Sequence, residues 1–198
     1  PLKTNNMLDC AKLNKNNTLG SCRQGSGRLA NSVIAINWSD WVAAEAASDI
    51  TEASSVISAI ALETGAYGYR LTSKEKGIVG SYSMNKGTYG NSMVHQLVIN
   101  AFDRTQDNKN TMNKLLHGRY VFIVEHVDLN SNDTVYEVYG RQCGMTCSAL
   151  DSDSSNADGV IAAITMASDD DARESEVPTS IYTTSLAATR TMVEALVS

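Results

Sequence analysis

Proline is almost missing from this sequence: among 198 residues only Pro1 and Pro178 occur. Pro-rich linkers and polyproline recognition segments are therefore excluded. Long apolar runs are missing as well. No stretch approaches the roughly 20 residues that a membrane-spanning helix needs, and Pro1 to Asn6 show no apolar segment of a secretory leader. Cysteine is scarce, with only Cys10, Cys22, Cys143 and Cys147 and no Cys-x-x-Cys pair, so neither a zinc ribbon nor a thioredoxin-type motif is signalled. On a strand, Cys143 and Cys147 would share one face about 13 Å apart, beyond disulfide reach. A zinc site from all four cysteines matches no familiar spacing, and a Cys10–Cys22 disulfide has no better support. Reduced, partly buried thiols are expected, with no metal and no cofactor.

What is present suits a single domain. Hydrophobic residues make up 42% and charged residues 19%, enough for a core burying roughly 70% of the unfolded surface. Charge is segregated along the chain. Residues 1–30 carry five bases and one acid, and residues 31–64 carry five acids and no base. Residues 65–127 hold eight bases and four acids, whereas residues 128–198 hold three bases and twelve acids. A net charge of −6 in separated blocks suits self-association better than nucleic-acid wrapping, which wants a concentrated basic footprint.

Residues 1–32, rich in Asn, Lys, Ser and Gly, read as an irregular arm, and residues 33–198 as one β domain. Val33 to Ile36 predicts a strand, and Ser39-Asp40 ahead of Trp41–Ala47 predicts a short capped helix or a loop. Val56–Leu62 reads as a strand buried on most of both faces, turning at Thr64-Gly65 into Tyr67–Leu71 as a hairpin. Residues 78–90 read as a strand with a polar turn at Asn85-Lys86-Gly87, and Met93–Phe102 as a long strand. The pattern predicts a helix over 105–117, with Thr105 as N-cap, Asp107 in the first turn and Gly118 as a left-handed C-cap. Strands follow near 119–127, 134–139, 143–150 and 159–167, with polar tips at Asp128–Asp133 and Asp151–Asp158. Residues 168–178 read as a charged loop. Ile181–Thr184 favours strand, whereas Leu186, Thr189, Met192 or Val193 and Leu196 fall at helical spacing. The sum is mainly β: an antiparallel sandwich or barrel of about eight strands with one flanking helix. Such long strands need their edges closed, covered or paired.

No arrangement of catalytic residues emerges. His95 lies within a strand, His117 suits the C-terminus of a helix dipole, and His126 sits on the opposite face from Glu125. HExxH, GxSxG, P-loop and paired-carboxylate patterns are all absent. Asp169-Asp170-Asp171 with Glu174 and Glu176 could ligate a hard cation, but the order of acids and the glycine of an EF-hand are lacking; a solvated or partner-facing loop is expected. Trp38 and Trp41 are expected in core or interface. Tyr67 and Tyr69, flanked by Arg70, Lys74 and Lys76, could stack bases, against which the acidic whole argues.

Several strings in order resemble a known family. Tyr67 to Arg70 follow the Thr64-Gly65 turn, and His95-Gln96 enters the long strand. Tyr120–Glu125 then leads through a polar tip to Tyr136–Gly140, with Gly144-Met145 close behind. Gly159 opens a strand ending at Ala167–Asp170, with Glu174 and Pro178 beyond. From Val56 to about Tyr182 the chain resembles tail tube and related major tail structural proteins of tailed bacteriophages, most closely those of Bacteroidetes-type hosts.

The resemblance implies a structural virion protein, not an enzyme, assembled in the host bacterial cytoplasm. Its copies would form hexameric rings stacked into a hollow cylinder with an inner wall of strands from neighbouring copies, touching other tail proteins and passing DNA without specific binding. Ser81, Ser83, Gln96 and Asn100 are the expected lumen-lining residues. Residues 1–30 and the 168–178 loop are the expected ring-to-ring contacts. Alternatives are a neck, ring or connector protein of a phage tail, a monomeric β-sandwich binding module, or a hydrolase. Repeated rings, a persistent monomer or a convergent acid–base pair would separate them.

Overall fold

The computed structural model describes residues 28–74, 76–87, 90–127, 133–152, 159–168 and 173–197. Its strands are β1 (Leu29–Asn37), β2 (Ile50–Ala53), β3 (Val56–Ile60), β4 (Gly68–Thr72), β5 (Ile78–Lys86), β6 (Asn91–Ala101), β7 (Arg119–His126), β8 (Tyr136–Tyr139), β9 (Met145–Asp151), β10 (Ala162–Ser168) and β11 (Thr179–Ile181). Three helices join them: α1 (Trp38–Ala46), α2 (Gln106–His117) and α3 (Leu186–Ala195). The strands run β2-β3-β11-β8-β7-β9-β10-β6-β5, and β1 pairs with both β7 and β4. Every pairing is antiparallel except β11 with β3, so the sheet is mixed.

The two central strands have no polar face. In β1, Val33 and Ala35 enter one core and Ile34 and Ile36 the other; in β7, Phe122 and Val124 oppose Val121 and Ile123 in the same way. Helices α1 and α3 cover one face with Trp41, Val193 and Leu196. The other face is covered by β5, β6, β10, β9 and Leu115 of α2. Each such large side chain contributes about 1.5–3 kcal/mol on burial. The two leaves part at β7, which pairs with β8 through Phe122–Glu125 and with β9 through Arg119 and Tyr120. Gly80 of β5 lies against Leu29 and Tyr139 without a ladder joining β5 to β1 or β4. The fold is mainly β as expected, but the sheet is mixed and the roll open, which corrects the barrel form of the expected antiparallel sandwich or barrel, and three helices stand where one was expected.

Other expectations change locally. β1 begins at Leu29, inside the expected arm of residues 1–32; residues 1–27 lie outside the described residues. The expected hairpin between Val56–Leu62 and Tyr67–Leu71 does not form. β3 pairs instead with β2, through the two-residue turn Ser54-Ser55, whose φ values of 54° and 60° are those of a tight hairpin turn. A bulge at Ser58 lets Ile57 and Ile60, three apart, share one core. Gly118 is extended, not left-handed, at φ −98°. Its glycine serves close approach: a Cβ there would stand 2.2 Å from the Tyr120 hydroxyl, which donates to the Lys114 carbonyl of α2 at 2.8 Å. Thr105 caps α2 as expected, accepting from the Asn108 N–H. The C-terminal region is strand and then helix, β11 followed by α3.

Candidate assembly surface

The β5–β6 hairpin pairs Ile78 with Ile99 at its base and Lys86 with Asn91 at its tip. Gly87 N–H donates to the Gly90 carbonyl at 2.9 Å, and Asn100 N–H to the Gly77 carbonyl at 2.8 Å. These two bonds fix which backbone groups point where. Odd-numbered residues of β5 turn their N–H and C=O groups toward β6. Gly80, Tyr82, Met84 and Lys86 turn theirs outward, to an edge that pairs with no strand among the described residues. Tyr82 and Met84 are 51% and 61% exposed, although their side chains lie on the core-facing side, opposite His95 and Met93. The hairpin therefore overhangs the body, with apolar groups and an open edge.

Its outer face carries no charge. Val79, Ser81 and Ser83 of β5 stand beside Val98, Gln96 and Val94 of β6, with Asn100 on the same side. Ala163, Thr165 and Ala167 of β10 extend this face. The four residues expected to line a lumen, Ser81, Ser83, Gln96 and Asn100, thus share one side of one hairpin. Ser81 Oγ and Gln96 Oε1 are 3.4 Å apart.

A buried polar knot holds the root of the overhang. His95 is 1% exposed; its Nδ1 accepts from the Gly140 N–H at 3.1 Å, so its Nε2–H donates to the Glu176 carbonyl at 2.9 Å. Both ring nitrogens are engaged by backbone, and burial pushes the imidazole below its ordinary value. Glu174, 2% exposed, accepts from the Gln142 and Cys143 N–H groups at 2.9–3.1 Å. Burial pushes its carboxyl up, opposed by those bonds and by Arg141. The Met93 N–H donates to the Glu174 carbonyl at 2.7 Å. Gln142 Oε1 accepts from the N–H and hydroxyl of Ser175, and Arg141 pairs with Glu45 of α1 and Glu52 of β2. This arrangement straps residues 173–178 across the β8–β9 turn and β6.

That strap revises the expected contact loop. Glu174 is buried rather than solvated, and Pro178 is buried; only Ser175, Glu176 and Val177 are exposed among residues 173–178. Asp169, Asp170 and Asp171 lie outside the described residues, as do Cys10, Cys22 and most of both polar tips. Cys143 and Cys147 are free thiols. Among the described residues no group of three or more His, Cys, Asp or Glu is placed to hold a metal. His126 pairs with Glu137 at 2.8 Å, and His117 ends α2. Trp41 is fully buried. Tyr67 and Tyr69 are exposed, but Arg70 is tied to Glu194 at 2.5 Å and Lys74 lies over the Phe102 ring, so these bases do not array beside the tyrosines. The sequence reading missed the knot, because a lone histidine and a loop acid separated by almost 80 residues carry no local signal.

A cavity of about 530 Å³ opens between α2, the end of β4 and the end of β6. No family model, curated protein or solved structure matches this chain.

Proposed function

We propose that this chain is a self-assembling structural subunit of the phage tail-tube type. Its copies would close into hexameric rings that stack as a conduit for DNA. The observation that carries the reading is the overhanging β5–β6 hairpin, whose outward N–H and C=O groups have no strand beside them among the described residues. An open edge with apolar side chains is a template for pairing with another chain. Here Tyr82 and Met84 add area to that template, and only Lys86 guards it. Heterologous pairing repeated around an axis closes a ring. The uncharged outer face of the hairpin suits a wall along which phosphates slide, since it offers no cations to hold them.

Met84→Pro tests this directly. Its N–H points outward, so proline removes an edge donor without removing a bond to β6. The purified wild-type protein is expected to form stacked rings under negative stain, and the variant to remain monomeric with an unchanged melting curve. A wild-type protein that stays monomeric at high concentration overturns the reading. One or two rings without stacking would favour the neck or connector alternative.

A further inference from the structure

We propose that the strand receiving the β5 edge is β2 of a neighbouring copy, so that one sheet continues from copy to copy. The inference rests on the self-assembly reading and names the partner surface. β2 and β5 are the two ends of the strand order, and each pairs on one side only among the described residues. The Asp49 carbonyl accepts from the Ala61 N–H at 3.0 Å, one step before Ile50 meets Ile60. Asp49, Thr51 and Ala53 therefore turn their backbone groups toward β3, and Ile50 and Glu52 turn theirs outward. Thr51, Glu52 and Ala53 are all exposed, so this edge stands in solvent.

The remaining free edge, on β4, is a poorer receiver. Its Gly68 N–H already donates to the Leu196 carbonyl at 2.7 Å, and Lys74 and Lys76 follow it around the single acid Glu75. Lys86, which guards β5, would meet like charge there. Beside β2 the balance is reversed. Residues 38–63 hold five acids and no base; Arg141 is bound to Glu45 and Glu52, and Asp49 is exposed at the turn into β2. Antiparallel pairing with Met84 opposite Ile50 brings outward backbone groups together. It makes an apolar pair on the core-facing side, where Ile50 already packs, and it carries Lys86 to Asp49. Ser83 then lies opposite Thr51 on the solvent face. One such seam is short, but ring closure gives each copy two.

Cysteine cross-linking of the full chain tests the seam. Ser83 and Thr51 form a pair whose hydrogen bonds point away from the seam, so their side chains come within disulfide reach. Chains with Ser83→Cys mixed with chains with Thr51→Cys are expected to give a disulfide-linked dimer under mild oxidation, its bond located by peptide mapping, and neither chain alone to give it. A chain with both substitutions is expected to give a ladder that ends at the closed ring. Lys86→Glu is expected to weaken assembly in sedimentation about fivefold, the size of one exposed charge pair, with an unchanged melting curve; Asp49→Lys in the same chain is expected to restore it. If the wild type forms rings but Ser83→Cys links to itself, to Tyr69→Cys of β4 or to nothing, the β2 seam is overturned while self-assembly stands. A Lys86→Glu defect that Asp49→Lys leaves unrelieved overturns the seam as well. A wild type that stays monomeric overturns both readings.

Discussion

His95 and Glu174 titrate against folding in opposite senses. The folded state holds His95 below the ordinary value of 6.5, so the unfolded chain takes up a proton that the native state refuses. The stability from neutral His95 is whole above pH 6.5 and is lost as pH falls below it, with a slope of at most about 1.4 kcal/mol per pH unit. Glu174 is held above the ordinary 4.5; its contribution is whole below 4.5 and is lost as pH rises through the folded value. Between pH 6.5 and 5 the histidine limb is expected to show as falling stability on acidification. His95→Asn should flatten it, as measured by urea unfolding at several pH values; an unchanged limb would refute the assignment. Glu174→Ala leaves the Gln142 and Cys143 N–H groups without their acceptor and is expected to cost about 2–3 kcal/mol. Gly118→Ala drives the Tyr120 ring off the α2 terminus. A loss of about 1–2 kcal/mol is expected from the broken cap and the forced shift, read as a lower melting temperature.

Strands declare themselves in the sequence where burial is two-sided or alternation is clean, as in Val33–Ile36, Tyr120–Val124 and Val94–Asn100. β2 does not, because Ile50-Thr51-Glu52-Ala53 is short and exposed and its turn is Ser54-Ser55, lacking the Asn-Gly signature. With β2 silent in the sequence, Tyr67–Leu71 is the nearest apparent partner for Val56–Leu62, whereas in the fold β4 pairs with β1 and β3 with β2. Both serines hold positive φ, a conformation that β-carbon sterics disfavour. Ser54-Ser55→Asn-Gly is therefore expected to stabilise the protein by about 0.5–1 kcal/mol. Thermal unfolding checks this, and a loss of stability would mean that the turn is not the two-residue type. The α2 boundaries were legible because Thr105 and Asp107 sit where capping and the helix dipole want them. The mixed pairing of β11 with β3 was not, since a three-residue strand placed between β8 and β3 is chosen by tertiary packing alone.

At the scale of the molecule, the candidate surface was half legible. Polar residues alternating with apolar ones marked Ser81, Ser83, Gln96 and Asn100 as one face, and the register agrees. The overhang itself was hidden, because sequence does not say where the second leaf stops covering the hairpin. The division between arm and domain also moves, with consequences for truncation. Leu29 is 5% exposed within the core, and the Arg28 carbonyl accepts from the Val127 N–H at 2.8 Å. Removing residues 1–27 spares both, so the melting temperature is expected to hold. Removing residues 1–32 deletes the first four residues of β1, Leu29 to Ser32, and empties the Leu29 site, at a cost of about 2–5 kcal/mol from that side chain alone. If residues 1–27 supply ring-to-ring contacts, the shorter truncation gives folded rings that do not stack, separable from tubes by sedimentation and negative stain. Full-length tubes from that truncation would assign stacking to the domain itself, and unfolding would place part of the core upstream of Arg28.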